Sequence, residues 1–285
     1  TRSRDDTSFD NHNTFSQVEY LARSFVATGD KTFRDACVRG IDFMLAAQYE
    51  NGGFPQWYPR ARGYHAHITF NDGAMIGTLR VLKDAGEQRT HFAWLDEKRT
   101  ERANDTVRRG VECILECQIR VGGRLTGWCQ QHDETTFAPA GARSFELASI
   151  CPGDTAEIVE FLTSFDSPSP EMIQSVQAAT DWMKQVALPG IVVKRVPAPK
   201  EEFLRHTVDF DVVVAAEDGA RPIWARHYEI GTNRPIFAGR DGVKKYRLAD
   251  IERERRTGTA WYGYWPERVF RRSKRPNDER RPPER

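Results

Sequence analysis

The sequence predicts a mainly α-helical, layered fold built of helical hairpins, with a smaller region of short β-strands in its C-terminal half. Three observations carry this prediction. Apolar residues recur at helical spacing through the first part of the chain. A block of residues on one helix is repeated 70 positions later. Beyond residue 187 the apolar residues gather instead into β-branched runs.

The elements follow in order. Val18, Leu21, Phe25 and Val26 place one apolar face on a helix over residues 14–27, closed by Gly29. Phe33, Cys37, Ile41, Met44 and Leu45 do the same over 31–48. The stretch Asn51-Gly52-Gly53-Phe54-Pro55-Gln56-Trp57-Tyr58-Pro59 is punctuated by glycine and proline and cannot continue a helix. A third helix is expected from Asn71-Asp72 through Leu82, and a fourth from about Asp105 to Gln118.

The fourth helix repeats the second. Gly40 to Gln48 aligns with Gly110 to Gln118, and Gly52-Gly53 with Gly122-Gly123, each 70 positions apart. A weaker third copy sets Asp181-Trp182-Met183 opposite Asp42-Phe43-Met44. The repeated unit is a helical hairpin, which buries one face and needs neighbours to complete a core. A layered all-α body follows, with a ring of hairpins as one arrangement. In an antiparallel hairpin the start of the first helix and the end of the second share an end. Asp10, Asp72, His132, Asp133 and Arg143 are therefore expected on one rim.

Past the helical part, residues 191–194, 210–214, 222–229 and 236–238 read as short strands of a small sheet, followed by a helix over 248–256 and the aromatic patch Trp261-Tyr262-Gly263-Tyr264-Trp265. The expected organisation is a hairpin region over 1–187, a mixed strand and helix region over 188–270 that closes a groove, and a disordered tail over 271–285, rich in Arg, Pro and Glu.

Composition excludes several function classes. Of 285 residues, 42 are Lys or Arg and 41 Asp or Glu, a balance with no general attraction for nucleic acid. No apolar run is long enough to span a membrane. The cysteines Cys37, Cys113, Cys117, Cys129 and Cys151 contain no CxxC pair and are expected as buried free thiols. The opening residues carry neither an initiator Met nor an apolar segment, so any signal peptide is expected to lie outside this sequence.

The polar stretch from Trp128 to Glu146 lies between helical segments and holds amides, acids, an imidazole and a guanidinium, the make-up of a functional loop. On the residues alone, Asp10 and Asp72 read either as helix N-caps or as site acids. His132 and Asp133 read as a loop-stabilising pair or as ligand contacts, and Arg226 and Arg240 as ion-pair residues or as lining of a groove. Trp57, Tyr58, Trp261 and Tyr262 suit either sugar stacking or core packing.

Several blocks in order, Phe9-Asp10-Asn11-His12-Asn13-Thr14, Ala27-Thr28-Gly29-Asp30, Asn51 to Pro59, His67 to Met75, Gln131-His132-Asp133-Glu134 and Trp261-Tyr262-Gly263, resemble the pectate lyases of polysaccharide lyase family ten over roughly residues 5–266. The resemblance implies an (α/α)3-like toroid of hairpins and calcium-dependent cleavage of polygalacturonate by β-elimination. It implies Ca2+ at Asp10 and Asp72, Arg143 as the base at C5, and Arg226 holding a substrate carboxylate. Beside these, His132, Asp133 and Arg240 are expected as further substrate contacts. It also implies a monomer secreted by a bacterium, because a plant-wall polymer cannot enter the cytoplasm. Two departures, His12-Asn13 and the segment Pro197–Asp211, bear on fine specificity.

The residue types suit that chemistry. A C5 proton beside an ionised carboxylate is barely acidic, so a site must neutralise the carboxylate and stabilise developing enolate-like charge. A hard cation on oxygen ligands and bidentate arginine forks do both. Arginine is a weak base on paper, with a pKa above 12, which predicts an alkaline optimum. Two other classes remain at this stage: an inverting glycoside hydrolase using Asp72 and Asp133 as acid and base, and a non-catalytic binder of acidic glycans.

Overall fold

The computed structural model describes residues 7–89 and 91–273. Six helices form three antiparallel hairpins: α1 (Phe15–Thr28) with α2 (Lys31–Ala47), α3 (Ala74–Gly86) with α4 (Glu97–Cys117), and α5 (Pro152–Leu162) with α6 (Pro170–Gln185). The first helices α1, α3 and α5 pack side by side in one layer, and α2, α4 and α6 in the other. This is the expected hairpin toroid of (α/α)3 type. The central helix α3 is buried almost along its length, with Met75, Ile76, Leu79 and Leu82 fully inside.

The sequence repeat has a packing cause. Gly40 on α2 and Gly110 on α4 occupy equivalent places, where a Cβ would come within 2.4 Å of Val18 Cγ2 and 2.6 Å of Leu79 Cδ2 respectively. Each glycine lets the two helices of its hairpin approach closely. Gln48 and Gln118 then tie neighbouring hairpins together. Gln48 Nε2 donates to Gly52 O and, at 2.8 Å, to Thr106 O on α4; Gln118 Nε2 donates to Thr126 O and, at 3.1 Å, to Ser175 O on α6.

Helix α4 begins at Glu97, earlier than expected. Its first turns carry no apolar stripe to read; they are held by Asp96, which caps the helix, and by Arg99, which bridges Asp96 and Asp42 of α2 at 2.7 Å. The capping shows a division between the two layers. Asp30, Asp96 and Ser169 cap α2, α4 and α6 with their side chains, whereas Thr14, Gly73 and Cys151 at the starts of α1, α3 and α5 make no side-chain cap.

The stretch 128–146 is not wholly irregular. Gln131–His132 is the middle strand of a three-stranded sheet, paired with Ile68–Thr69 and Pro139–Ala140. The C-terminal part forms separate two-stranded pairs rather than one small sheet. Ile191–Glu202 and Thr207–Ala216 make a long antiparallel hairpin, Trp224–Ala225 pairs with Tyr262–Gly263, and Phe237–Ala238 with Lys244–Lys245. The helix expected over 248–256 is a short turn at Leu248–Asp250 followed by α7 (Arg253–Gly258).

A small second core of Phe145, Phe237, Leu248, Ile251 and Trp261 underlies this part. Trp224 and Tyr228 join the main core, donating to Met183 O and Val186 O at 2.7 Å. A last helix, α8 (Glu267–Ser273), includes the first three residues of the expected tail; 274–285 lie outside the described residues. All five cysteines are buried and free, as expected.

Replacing a helical glycine by alanine ordinarily stabilises by about 0.5–1 kcal/mol. Gly40→Ala and Gly110→Ala are each expected to do the opposite, lowering stability by about 1–3 kcal/mol through overpacking. Urea denaturation reads this directly, and a raised midpoint in either variant would refute the close-approach explanation.

Candidate active site

Asp10 and Asp72 lie in tight turns just ahead of α1 and α3. Neither caps its helix. Both turns contain a left-handed residue, Asn11 (φ 52°) and Asp72 itself (φ 53°), a conformation that Asn and Asp tolerate best after glycine. The turns bring both carboxyl groups to the lining of one cleft, near enough for Asp10 to act on Asp72. Loss of surrounding water, reinforced by Asp10, raises the Asp72 carboxyl to about 6. Asp10 Oδ1 is buried and has no hydrogen-bond partner among the described residues. Two facing carboxylates, one with an orphaned oxygen, are a donor set of hard oxygens that fits a divalent cation such as Ca2+.

Asn71 is the hub behind this pair. Its Nδ2 donates to Asp72 Oδ2 at 2.8 Å, and its Oδ1 accepts from Gln130 Nε2 at 2.6 Å and from Arg226 Nη2 at 3.1 Å. Arg226 is half-buried, and its Nε has no partner among the described residues. It shares a hollow behind Asp72 with Asp154 and Glu157 of α5. Burial raises Asp154 to about 7, partly offset by Arg226. Asp154 was missed in the sequence, although the repeat logic points to it, since it opens the first helix of the third hairpin.

In front of the pair lies a cleft of about 710 Å³. One wall is Gln56, Trp57, Tyr64 and His65, with the His65 imidazole stacked on Trp57 at 3.6 Å and 8°. Of the four aromatics singled out from the sequence, only Trp57 lines this cleft; Tyr58 packs on Phe43, and Trp261 is buried in the second core.

The facing side carries guanidinium groups. Arg143 is half-exposed and clasped by Glu146, with Nε–Oε2 at 2.7 Å and Nη2–Oε1 at 2.5 Å, over the Phe145 ring. The Glu146 hydrogen bonds raise the Arg143 pKa above its ordinary value. Loss of surrounding water pulls it the other way, and the carboxylate outweighs that. Arg240 lines the cleft and is also an ion-pair residue, bidentate to Glu254 at 2.6–2.8 Å, which Arg255 grips from the other side.

His132 and Asp133 do not line this cleft. His132 is fully buried; Nε2 accepts from Cys129 N at 3.1 Å and Nδ1 donates to Phe137 O at 2.8 Å. Asp133 Oδ1 accepts from the Thr135 and Thr136 amides and the Thr136 hydroxyl. Both serve the local turn, because strand pairing carries the His132 side chain into the core. The pairing of Asp72 with Asp133 that an inverting hydrolase needs is therefore not assembled.

Fold and cleft define an α/α toroid whose facing carboxylates suit a hard cation and whose arginine rim suits an anionic ligand. The family model described as pectic acid lyase matches residues 1–270, and the chain belongs to that family. A Family 10 polysaccharide lyase from Cellvibrio cellulosa superposes with a TM-score of 0.82 at 29% identity, over 94% of this chain and 80% of that one. A mutant of the Family 10 lyase from that organism, in complex with trigalacturonic acid, gives 0.83 at 28% identity over 94% and 81%. No curated protein matches the chain.

Burial lowers the His132 pKa to about 4. A depressed imidazole pKa means that the fold favours the neutral ring, so stability is complete above about pH 6.5 and is lost as pH falls toward 4. The loss from this residue is on the order of 3 kcal/mol. His132→Asn is expected to lower stability at pH 7 by roughly 1–3 kcal/mol and to flatten that acid limb, while KM stays at the wild-type value. A raised KM with unaltered stability would restore His132 as a ligand contact.

Proposed function

We propose that the protein is a secreted, monomeric pectate lyase that cleaves α-1,4-polygalacturonate by calcium-assisted β-elimination, giving 4,5-unsaturated oligogalacturonides. The observation that carries this reading is the Asp10–Asp72 carboxylate pair in a cleft rimmed by arginines. The trigalacturonic acid complex of the Cellvibrio cellulosa lyase supports the choice of substrate. No helix among the described residues is long and apolar enough to cross a membrane, and a polymeric wall substrate requires action outside the cell.

Asp10 and Asp72 would hold the calcium ion, which when bound neutralises a C6 carboxylate and stabilises negative charge developing next to C5. Arg226, behind Asp72, takes a carboxylate of the chain through charge-assisted hydrogen bonds; Arg240 on the rim, its Nε and Nη2 held by Glu254, contacts the substrate only through its remaining Nη1. Arg143 accepts the C5 proton. The C5–H electron pair becomes the C4–C5 double bond, the C4–oxygen bond breaks, and the departing oxygen takes a proton from the open cleft. Because Glu146 stabilises the charged guanidinium, the free-base fraction of Arg143 is small and grows about tenfold per pH unit. Activity is thereby confined to alkaline pH.

Ultraviolet absorbance of de-esterified polygalacturonate, followed with calcium and with a chelator, tests the reaction. The signal is expected to rise with calcium and vanish on chelation and in Asp10→Ala and Asp72→Ala. Arg143→Ala should lower kcat by about 10²–10⁴-fold. Reducing ends appearing without unsaturation would mean hydrolysis instead. Glu146→Gln should lower the Arg143 pKa and move the alkaline limb of the rate profile to lower pH; an unmoved limb would remove Arg143 as the base.

A further inference from the structure

The cleft has one wall that neither the hairpin repeat nor the carboxylate pair accounts for, the tip of the long hairpin Ile191–Glu202/Thr207–Ala216. This segment coincides with the departure at Pro197–Asp211. The strands turn at residues 203–206, closed by Phe203 N donating to His206 O at 2.9 Å.

The tip is fixed in place. Arg256 of α7 forks onto Asp211 at 2.5–2.9 Å, with both side chains less than a fifth exposed. Arg253 bonds Phe210 O and Glu201. His206 Nε2 lies 3.0 Å from Thr257 Oγ1. Residue 258 is glycine at the point of closest approach, where a Cβ would lie 2.9 Å from His206 Cε1. A register irregularity between Pro197 and Glu201 bends the hairpin just before its tip.

The guanidinium groups on the cleft differ in one respect. Arg143 is neutralised by Glu146, and Arg240 and Arg255 share Glu254. Arg205, at the hairpin tip, lines the same cleft and makes no ion pair or hydrogen bond among the described residues. A fixed strand turn thus presents an uncompensated fork to a cleft whose other arginines are already occupied, the complement of a carboxylate that arrives with a ligand.

We propose that Arg205 forms an additional subsite on the hairpin side of the cleft, binding the carboxylate of a uronate residue other than the one undergoing elimination. The proposal rests on the reading of the cleft as a polyuronate lyase site and adds a specificity determinant to it. A contact away from the reacting sugar is made equally in ground and transition states, so it lowers KM and leaves kcat alone. It operates only on chains long enough to reach the tip.

The test compares wild type, Arg205→Ala and Arg205→Lys on galacturonate oligomers of increasing length and on polygalacturonate, following unsaturated product. Arg205→Ala should raise KM roughly three- to tenfold on long chains, the scale of an exposed charge-assisted fork, with kcat and melting temperature unchanged and no effect on the shortest cleaved oligomers. Arg205→Lys should fall between, and added salt should narrow the differences. Equal KM at every length, or a kcat loss at every length, overturns the proposal. Should wild type form no unsaturated product, the lyase reading falls, and calorimetric titration with a long oligogalacturonate still decides this one. Weaker binding by Arg205→Ala upholds the subsite, and equal binding removes it.

Discussion

A helical hairpin can bury only one face of its own, and the architecture follows from that limit. Three hairpins must lie side by side for their apolar faces to be covered. Gly40 and Gly110 set how closely the helices within a hairpin approach, while Gln48 and Gln118 stitch one hairpin to the next. Stacking of this kind brings the starts of α1, α3 and α5 to one rim. Those are the helix starts without side-chain caps, and Asp10 and Asp72 lie just ahead of two of them while Asp154 lies in the first turn of the third. The requirement that builds the core also builds the acidic site.

Gathering acids is unfavourable without compensation, and the structure supplies only part of it. Asn71 donates to Asp72 and accepts from Arg226, which links the pair to a guanidinium without placing that charge between the two carboxyl groups. Burial, with the remaining repulsion added to it, raises the Asp72 and Asp154 carboxyls. On the opposite side, Glu146 and Glu254 hold Arg143, Arg240 and Arg255 in fixed orientations as forks. The cleft is therefore charged and ordered, with an unmet demand for a cation near Asp10 and for an anion near Arg205. Unsatisfied electrostatic demand of this sort is what distinguishes a binding site from a solvated surface.

Much of the fold was legible because it is local or periodic. The 3.6-residue apolar spacing placed α1 and α2, the Asn71-Asp72 start placed α3, and the repeat placed α4 as the partner of α2 in kind. Where the expectation fell short, the cause was interaction across the chain. The first turns of α4 rest on the Arg99–Asp42 bridge and carry no apolar pattern. His132 looked like a polar loop residue, and strand pairing with Ile68–Thr69 turned it into the core. The site was legible in part: Asp10 and Asp72 were expected together and are together, and Arg143 and Arg240 line the cleft. Glu146, Asp154 and Arg205 carry no motif, and their roles arise from neighbours distant in sequence or from a turn.

By itself, the sequence determined the helical-hairpin class, the repeated unit, the family resemblance and the pair of acids ahead of α1 and α3, because periodicity and short motifs are properties of contiguous residues. Tertiary structure alone decided which charges are neutralised and which are free. It put Glu146 on Arg143, left Asp10 Oδ1 and the Arg205 fork without partners among the described residues, and withdrew His132 and Asp133 from the cleft. The physical reason is range. Helix propensity and apolar spacing act within a few residues, whereas the ionisation and availability of a charged group depend on everything the folded chain brings within a few ångströms of it.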